Sequence, residues 1–519
     1  VARLIPSLPS FPGYFITRPS NRRKIDLWES RGYNFARIPK GGGFDMENLE
    51  IPALIPLTEE GEQDCACGRE SASASPFPSK ESNQFSLLMP LNQSSGLYRK
   101  DLGHGWVLFH NPSKFSPPSI LNSSACTLVD AFQSPISPER AIQMTGLPLE
   151  ASASFLKEAV QAGLLVPADG SSELEEPPNP HALTLWLALT FNCNLSCRYC
   201  YVPSGPLSMT EGEGKRAVDW AIAKLKEQGL KALKITYAGG EPLLCFDLLK
   251  AIHEYAQRKA WEEDLELREV VLTNGTLLEH ETLAFLRGEG IAVMLSIDGL
   301  GSEQGLLRPL AGGGDSLPLV LRAIELAQSE GSKLFLSATV TSLNLEGLPK
   351  LADLAMDLGW PLSLNFYRPN GGGVALLPNP GRLVEVFQEI GELVKERLGQ
   401  GKGPAPNLDL IHPASPSPYP CQGGISFFAF GPGGAFVPCP MLLGKSSASF
   451  KPSPVDEDPH CWACSWRYLC GGGCPLLTNH HYCQAYRELI PLWLELKAQA
   501  QRVMITLARR LPRALHALA

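Results

Sequence analysis

The chain has 519 residues and a formal net charge of −8 at neutral pH, with 44% hydrophobic and 8% aromatic residues. That length calls for several domains, and the acidic balance gives no basic footprint for nucleic acid. No apolar run reaches the length of a membrane-spanning helix, and the opening "VARLIPSLPS" lacks the apolar stretch of a signal peptide, so the expected location is the cytoplasm.

Residues 1–83 show little periodicity and end in the Ser/Pro-rich "SASASPFPSKESN", which reads as a linker. Residues 84–170 then carry "GLYRKDLGHGWVLFHN", two strands around a Gly-rich turn. After it, "SACTLVDAFQ", "SPERAIQMTG" and "LEASASFLKEAVQAGLL" have helical apolar spacing with Ser or Pro starts and Gly stops. A hairpin with three helices predicts a winged-helix-like α+β domain. A second linker, "SELEEPPNPH", follows.

From 181 to 400 strands and helices alternate. The strand candidates are "LTLWLALT", "ALKITYAG", "EVVLTNG", "IAVMLSIDG", "KLFLSATVT" and "PLSLNFY", with amphipathic patterns such as "GKRAVDWAIAKLKEQG" between them. Near-continuous apolar strands separated by helices mean buried parallel strands. Six such units predict an α/β fold, a partial (β/α)6 TIM-type barrel whose functional residues lie at the C-terminal ends of the strands. A cysteine-rich segment occupies 415–490. Residues 491–519 read as an amphipathic helix, docked with its basic face in solvent rather than lying on a membrane.

The 14 cysteines are clustered. Cys193, Cys197 and Cys200 form one group, and Cys421, Cys439, Cys461, Cys464, Cys470, Cys474 and Cys483 form another. In a reducing compartment such groups read as metal ligands rather than disulfides. Cys126 and Cys245 are expected to be small buried hydrophobes, and Cys65 and Cys67 have no assigned role. In "FNCNLSCRYCYVP" the first strand runs straight into Cys193, so the triplet sits on a loop at a strand's C-terminal end. Seven Cα steps of at most about 3.6 Å each let one loop wrap a small cluster. Three thiolates hold three irons of a 4Fe–4S cubane and leave the fourth iron open. The alternative is a zinc site completed by a distant residue.

The CxxxCxxC spacing, with the aromatic Tyr199 before its last cysteine, resembles the signature of radical S-adenosylmethionine enzymes. In that family the open iron chelates the cofactor's methionine end, and cleavage of the sulfonium releases a 5′-deoxyadenosyl radical; the protein supplies placement and protection. The resemblance extends to "GGEP", "TNGT" and "SIDG" at the ends of the second, third and fourth strands. It implies that Gly239 and Gly240 allow close approach, that Glu241 pairs with the methionine ammonium, that Ser296 contacts the ribose and that Arg308 contacts the cofactor carboxylate. Asp298 is left between ribose binding and capping a turn.

The second cysteine field resembles the SPASM extension of peptide-modifying relatives. It implies two auxiliary clusters, hence three 4Fe–4S clusters in all. Cys461, Cys464, Cys470 and Cys483 would ligate one, and Cys421, Cys439 and Cys474 the other, with no obvious fourth ligand. Residues 84–170 resemble the peptide-recognition domain of ribosomal-peptide (RiPP) maturases, similar to the pyrroloquinoline quinone peptide chaperone (PqqD). There a precursor's leader adds a strand to a sheet edge, and the strand Trp106–His110 with the helix near Leu156 would form the groove.

The resemblance therefore implies an oxidoreductase-type maturase that forms a C–C or C–S cross-link in a precursor peptide. Its partners would be that peptide and an electron donor such as flavodoxin or ferredoxin, with no nucleic acid and no membrane. Sulfatase-maturase-like oxidation of a Cys or Ser, epimerisation and backbone excision are the enzymatic alternatives, and a zinc-stabilised peptide-binding adaptor is the non-enzymatic one. No catalytic acid or base stands out.

Overall fold

The computed structural model describes residues 51–57, 86–170, 180, 182–369, 373–408, 416–445, 450, 452–477 and 480–517. Cys65 and Cys67 lie outside the described residues.

The N-terminal body contains β1 (Leu54–Pro56), β2 (Leu91–Gln93), β3 (Tyr98–Gly103), β4 (Trp106–His110) and β5 (Ser119–Asn122). Helices α1 (Ser123–Asp130), α2 (Pro138–Thr145) and α3 (Leu149–Gln161) follow, then β6 (Leu165–Pro167). The starts and stops come from local chemistry. Asn122 caps α1 by accepting from the Ala125 amide, and Ser137 caps α2 ahead of Pro138. Gly146 ends α2 at φ 67°, in the left-handed region that favours glycine.

The main sheet of this body runs β1-β5-β4-β3, antiparallel throughout. Two expectations are corrected by that order. Trp106–His110 pairs on both sides, with β3 and with β5, so it is an interior strand and offers no edge for a peptide. The domain also does not begin at residue 84, because Leu54–Pro56 pairs with β5 and completes the sheet. Sheet order depends on contacts between distant segments, which periodicity does not report.

The second body alternates β7 (Ala182–Thr190), α4 (Glu211–Glu227), β8 (Ala232–Gly239), α5 (Phe246–Glu262), β9 (Glu266–Thr273) and α6 (His280–Gly288). It continues with β10 (Ala292–Ser296), α7 (Ser302–Leu307), α8 (Leu317–Ser329), β11 (Phe335–Val340), α9 (Leu348–Leu358), β12 (Leu362–Phe366), α10 (Pro380–Gly399) and β13 (Asn407–Leu408). Strands β7 to β12 lie side by side in chain order, all parallel. Every residue of β7 is buried, as its unbroken apolar sequence demands.

The cysteine-rich segment is built onto this sheet. Its β14 (Phe427–Gly431) pairs parallel with β7, and β15 (Ala435–Val437) turns back along β14. The short helix α11 (Arg467–Cys470) follows. The final helix, α12 (Cys483–Ala517), begins at Cys483 rather than near residue 491. Its Leu489, Ile490, Trp493 and Leu494 are buried in the main core, so this part of the helix is docked. No described helix is long and apolar enough to cross a membrane.

Candidate cofactor site and cysteine groups

The loop that carries Cys193, Cys197 and Cys200 leaves the C-terminal end of β7 and is fastened on both flanks. On one flank the Gly240 amide donates to the Thr190 carbonyl at 2.6 Å, and the Glu241 amide to the Asn192 carbonyl at 2.9 Å. This contact explains the paired glycines. A Cβ on Gly239 would lie 2.4 Å from the Thr190 oxygen, and one on Gly240 would lie 2.0 Å from the Asn192 oxygen. On the other flank the Ser196 amide donates to Pro309 O at 2.8 Å and the Arg198 amide to Leu307 O at 2.9 Å. The chain bearing Arg308 is thereby laced to the cysteine loop.

Glu241 is fully buried and accepts three hydrogen bonds. They come from the Leu243 amide at 3.1 Å, the Thr273 hydroxyl at 2.7 Å and the Asn274 amide at 2.8 Å. Burial pushes its carboxyl up to about 7, against the opposing pull of these donors and of the Arg308 charge. "GGEP" and "TNGT" are thus one unit, in which Glu241 joins the ends of β8 and β9. Asn274 Nδ2 also donates to Asn194 Oδ1 at 2.9 Å and lies 3.9 Å from Cys193 Sγ. The Leu195 amide donates to the same sulfur at 3.4 Å. Such contacts to sulfur are among the means by which a protein tunes a bound iron–sulfur cluster.

Asp298 lies at the centre of a second network. Its side chain accepts from Arg308 Nε at 2.8 Å, from the Thr339 amide at 2.9 Å and from the Tyr199 hydroxyl, and it is completely buried. Arg308 lies over the Tyr199 ring, 5.3 Å from its centroid, with Nη1 4.0 Å from Cys197 Sγ. Asp298 therefore anchors the Arg308 chain and the aromatic of the cysteine motif, a role that neither sequence-based alternative described. Ser296 ends β10, 7% exposed, in register with Ser337 of β11. Sequence reasoning missed the parts played by Thr273, Asn274 and Asn194. The signal for Thr273 and Asn274 was the position of "TNGT" at a strand end, and Asn194 was marked only by its place inside the cysteine motif.

Cys193 and Cys197 are partly buried, and Cys200 is the most exposed of the three. Burial pushes the Cys197 thiol up to about 12 and raises Cys193 and Cys200, and Cys197 feels the charge of both neighbours. Free thiols in this setting stay protonated at neutral pH. A bound cationic metal inverts that preference and takes them as thiolates. Three convergent sulfurs on one loop fit a metal cluster that needs three cysteine ligands.

The C-terminal cysteines fall into two groups. Cys461 lies within electrostatic reach of Cys464, Cys470 and Cys483, and Cys439 within reach of Cys421 and Cys474. Burial pushes both Cys461 and Cys439 up to about 12. Cys461, Cys464, Cys470, Cys474 and Cys483 all line one cavity of about 480 Å³. Histidines crowd the first group: His460 Nε2 is 3.2 Å from Cys483 Sγ, and ligand atoms of Asp458, Cys461 and His480 lie within 4.8 Å of one another. No described cysteine forms a disulfide, and Cys126 is buried. Cys245 departs from expectation. It precedes α5 in a partly open position without a capping bond from its side chain, and its thiol lies 3.8 Å from the Ser208 hydroxyl.

Residues 187–355 match the family described as the Radical SAM superfamily. The chain is an enzyme of the radical SAM type. It is 27% identical over 278 residues to a PqqA peptide cyclase of Granulibacter bethesdensis, covering 51% of this chain and 68% of that one. It is 28% identical over 214 residues to an Fe-coproporphyrin III synthase of Methanosarcina barkeri, covering 40% of this chain and only 50% of that one. The solved structure of native anSMEcpe with bound AdoMet aligns with a TM-score of 0.50 at 20% identity, over 62% of this chain and 99% of that one, a likeness of fold.

Proposed function

We propose that the chain is a radical S-adenosylmethionine maturase that acts on a ribosomally made precursor peptide. In this reading Cys193, Cys197 and Cys200 hold a 4Fe–4S cluster that also binds S-adenosylmethionine. Cys461, Cys464, Cys470 and Cys483 hold one auxiliary cluster of the SPASM kind, and Cys421, Cys439 and Cys474 hold another. The observation that carries the reading is the three-cysteine loop at the C-terminal end of β7, laced to the GGEP turn on one side and to Arg308 on the other. The similarity to PqqA peptide cyclases supports a peptide as substrate.

With cluster and cofactor bound, such a site supplies a carbon-centred oxidant that removes a hydrogen atom from an otherwise inert C–H bond. The chain's own residues prepare it. Gly239 and Gly240 let the ends of β7 and β8 close on each other. Glu241, poised near neutrality by burial, becomes a carboxylate when an ammonium group arrives beside it. Asp298 holds Arg308 charged beside Cys197, where a cofactor carboxylate would be neutralised. Ser296 borders the mouth where a ribose would lie. The product is a C–C or C–S cross-link formed with loss of two hydrogens from the peptide, and reducing electrons come from a flavodoxin- or ferredoxin-type donor.

The test is anaerobic purification followed by co-expression with small peptides encoded beside the gene. Brown protein containing iron and sulfide, release of 5′-deoxyadenosine on reduction, and a peptide lighter by two hydrogens are expected. Colourless protein with stoichiometric zinc at Cys193, Cys197 and Cys200 would overturn the assignment. An unchanged peptide mass with inverted chirality would replace cross-linking by epimerisation, and a lost fragment would replace it by backbone excision.

A further inference from the structure

The sheet β1-β5-β4-β3 has two outer edges, and they differ. The β3 edge bears Arg99, Lys100 and Asp101, and its Leu102 and Gly103 carbonyls accept from Arg502 Nη1 of α12 at 3.1 and 3.2 Å. Charge and a docked helix close that edge to a further strand. The opposite side is of the other kind: its outer strand is β1, and what β1 covers is the flank of β5. It is long enough for a short extended segment, apolar on both faces and flanked by α3, and it is filled by Ile51–Leu57 of the same chain.

Ile51–Leu57 is held largely through its main chain. The Leu57 amide donates to Pro118 O at 2.7 Å, and the Asn122 amide donates to Ala53 O at 3.3 Å. The Asn122 side chain grips the segment twice, accepting from the Ala53 amide at 3.0 Å and donating to the Ile51 carbonyl at 3.0 Å. Gln501 Nε2 of α12 donates to the Pro56 carbonyl at 2.8 Å. Two side chains carry selectivity. Leu54 joins the cluster of Phe109, Leu121, Phe155 and Leu156, while Leu57, completely buried, joins Trp106, Leu108 and Ile120 on the opposite face. Residues three apart on a strand point to opposite faces, so one short segment fills both pockets. Pro52 and Pro56 are tolerated because the strand is an edge strand.

Main-chain pairing plus alternate side-chain pockets is the form of recognition by strand addition. We propose that the groove between β5 and α3 is an acceptor for an extended peptide with leucine-like residues at positions i and i+3, that Ile51–Leu57 is its intramolecular occupant, and that a substrate's recognition segment enters by displacing it. The proposal rests on the peptide-modifying reading and names the sequence class that the peptide must present. The occupant belongs to the same chain as the domain, so an incoming peptide competes against an intramolecular ligand.

The test uses the full chain and a fluorescein-labelled peptide that reproduces residues 50–58. Binding is read by fluorescence anisotropy on wild type and on Leu54→Asp, which drives the intramolecular strand out by burying a charge. The expected result is a Kd at least tenfold lower on the variant, with renewed hydrogen-exchange protection at residues 119–122 when peptide is added. A labelled peptide carrying the same Leu→Asp change binds neither protein. Equal Kd values, or no binding to either protein, overturn the proposal. Should Leu54→Asp lose its clusters, Ala53→Pro, which removes the amide gripped by Asn122, gives the same readout. The two readings fail separately: turnover of a precursor peptide that ignores both substitutions removes leader docking, and leaves the tenfold shift to be judged alone.

Discussion

Replacing Gly240 by alanine tests how the cysteine loop is held. Gly240 does not have a left-handed φ, so the cost of Gly240→Ala comes from contact alone. The new Cβ would sit 2.0 Å from Asn192 O and 2.6 Å from Asn192 C, where ordinary contact begins at 3.4 Å, and both atoms are backbone. Relief requires the β8 end and residues 190–193 to part by about 1.4 Å, the difference between 3.4 and 2.0. The bonds Gly240 N to Thr190 O and Glu241 N to Asn192 O, at 2.6 and 2.9 Å, do not survive that movement. Two lost hydrogen bonds at about 1 kcal/mol each, plus about 1–3 kcal/mol of overpacking, give about 3–5 kcal/mol, concentrated on the loop bearing Cys193. Misplacement by about 1 Å near reacting atoms costs on the order of a hundredfold in rate. The assay is iron per chain after anaerobic purification together with 5′-deoxyadenosine formed under reduction. Gly240→Ala should lose most of both. The control is Gly229→Ala, at φ +68° with open space around its Cβ, which pays only left-handed strain of about 1–2 kcal/mol and keeps its iron. Wild-type iron and cofactor cleavage in Gly240→Ala would refute the claim that this contact positions the cysteine loop.

Two further outcomes follow from buried charge. His110 stacks on Trp466 with ring centroids 5.6 Å apart, its Nε2 faces the Ser465 carbonyl at 3.3 Å, and burial pushes its pKa down to about 4 from 6.5. A depressed histidine favours its neutral form in the fold, so this contribution is complete above about pH 6.5 and is lost as pH falls toward 4, about 3 kcal/mol in all. His110→Gln should flatten that slope in denaturant unfolding series across the window, and parallel slopes for both proteins would contradict it. Asp298→Asn leaves the Arg308 guanidinium buried without its counter-charge, which should destabilise by about 3–5 kcal/mol and impair cofactor cleavage, whereas Tyr199→Phe removes a single hydrogen bond and costs about 1 kcal/mol. Unfolding midpoints that rank Tyr199→Phe below Asp298→Asn would reverse that assignment.

What could be read from the sequence was what is encoded over short distances. The six parallel strands announced themselves as short apolar-rich runs between amphipathic helices, unbroken in β7 and alternating in β11, and "ALKITYAG" coincides with β8 from Ala232 to Gly239. The cysteine triplet was legible because its three cysteines share one loop. Contacts that join distant segments were not. The pairing of β14 with β7 unites Phe427–Phe430 with Thr184–Leu187, and no local pattern marks which strand borders the first. The interior position of Trp106–His110 has the same origin, since an edge strand and a central strand with one core face share the same alternation. Asp298 gathers Tyr199, Arg308 and Thr339 from three separate segments, so its role exists only once those segments have come together. Ile51–Leu57 is the most instructive case. Two prolines and a short length argue against a strand, yet an edge that lacks a partner accepts such a segment because pairing on one side needs only part of its amides. The residues that resemble the radical SAM motifs are therefore adjacent in the chain, while the occupant of the β5 flank is a distant segment that no local pattern marks. On the strand-displacement proposal, a relative with different residues around Leu54 and Leu57 would be expected to prefer a different peptide, whereas a change at Asn122, which grips main-chain atoms, would weaken the hold on any segment without changing which one is preferred.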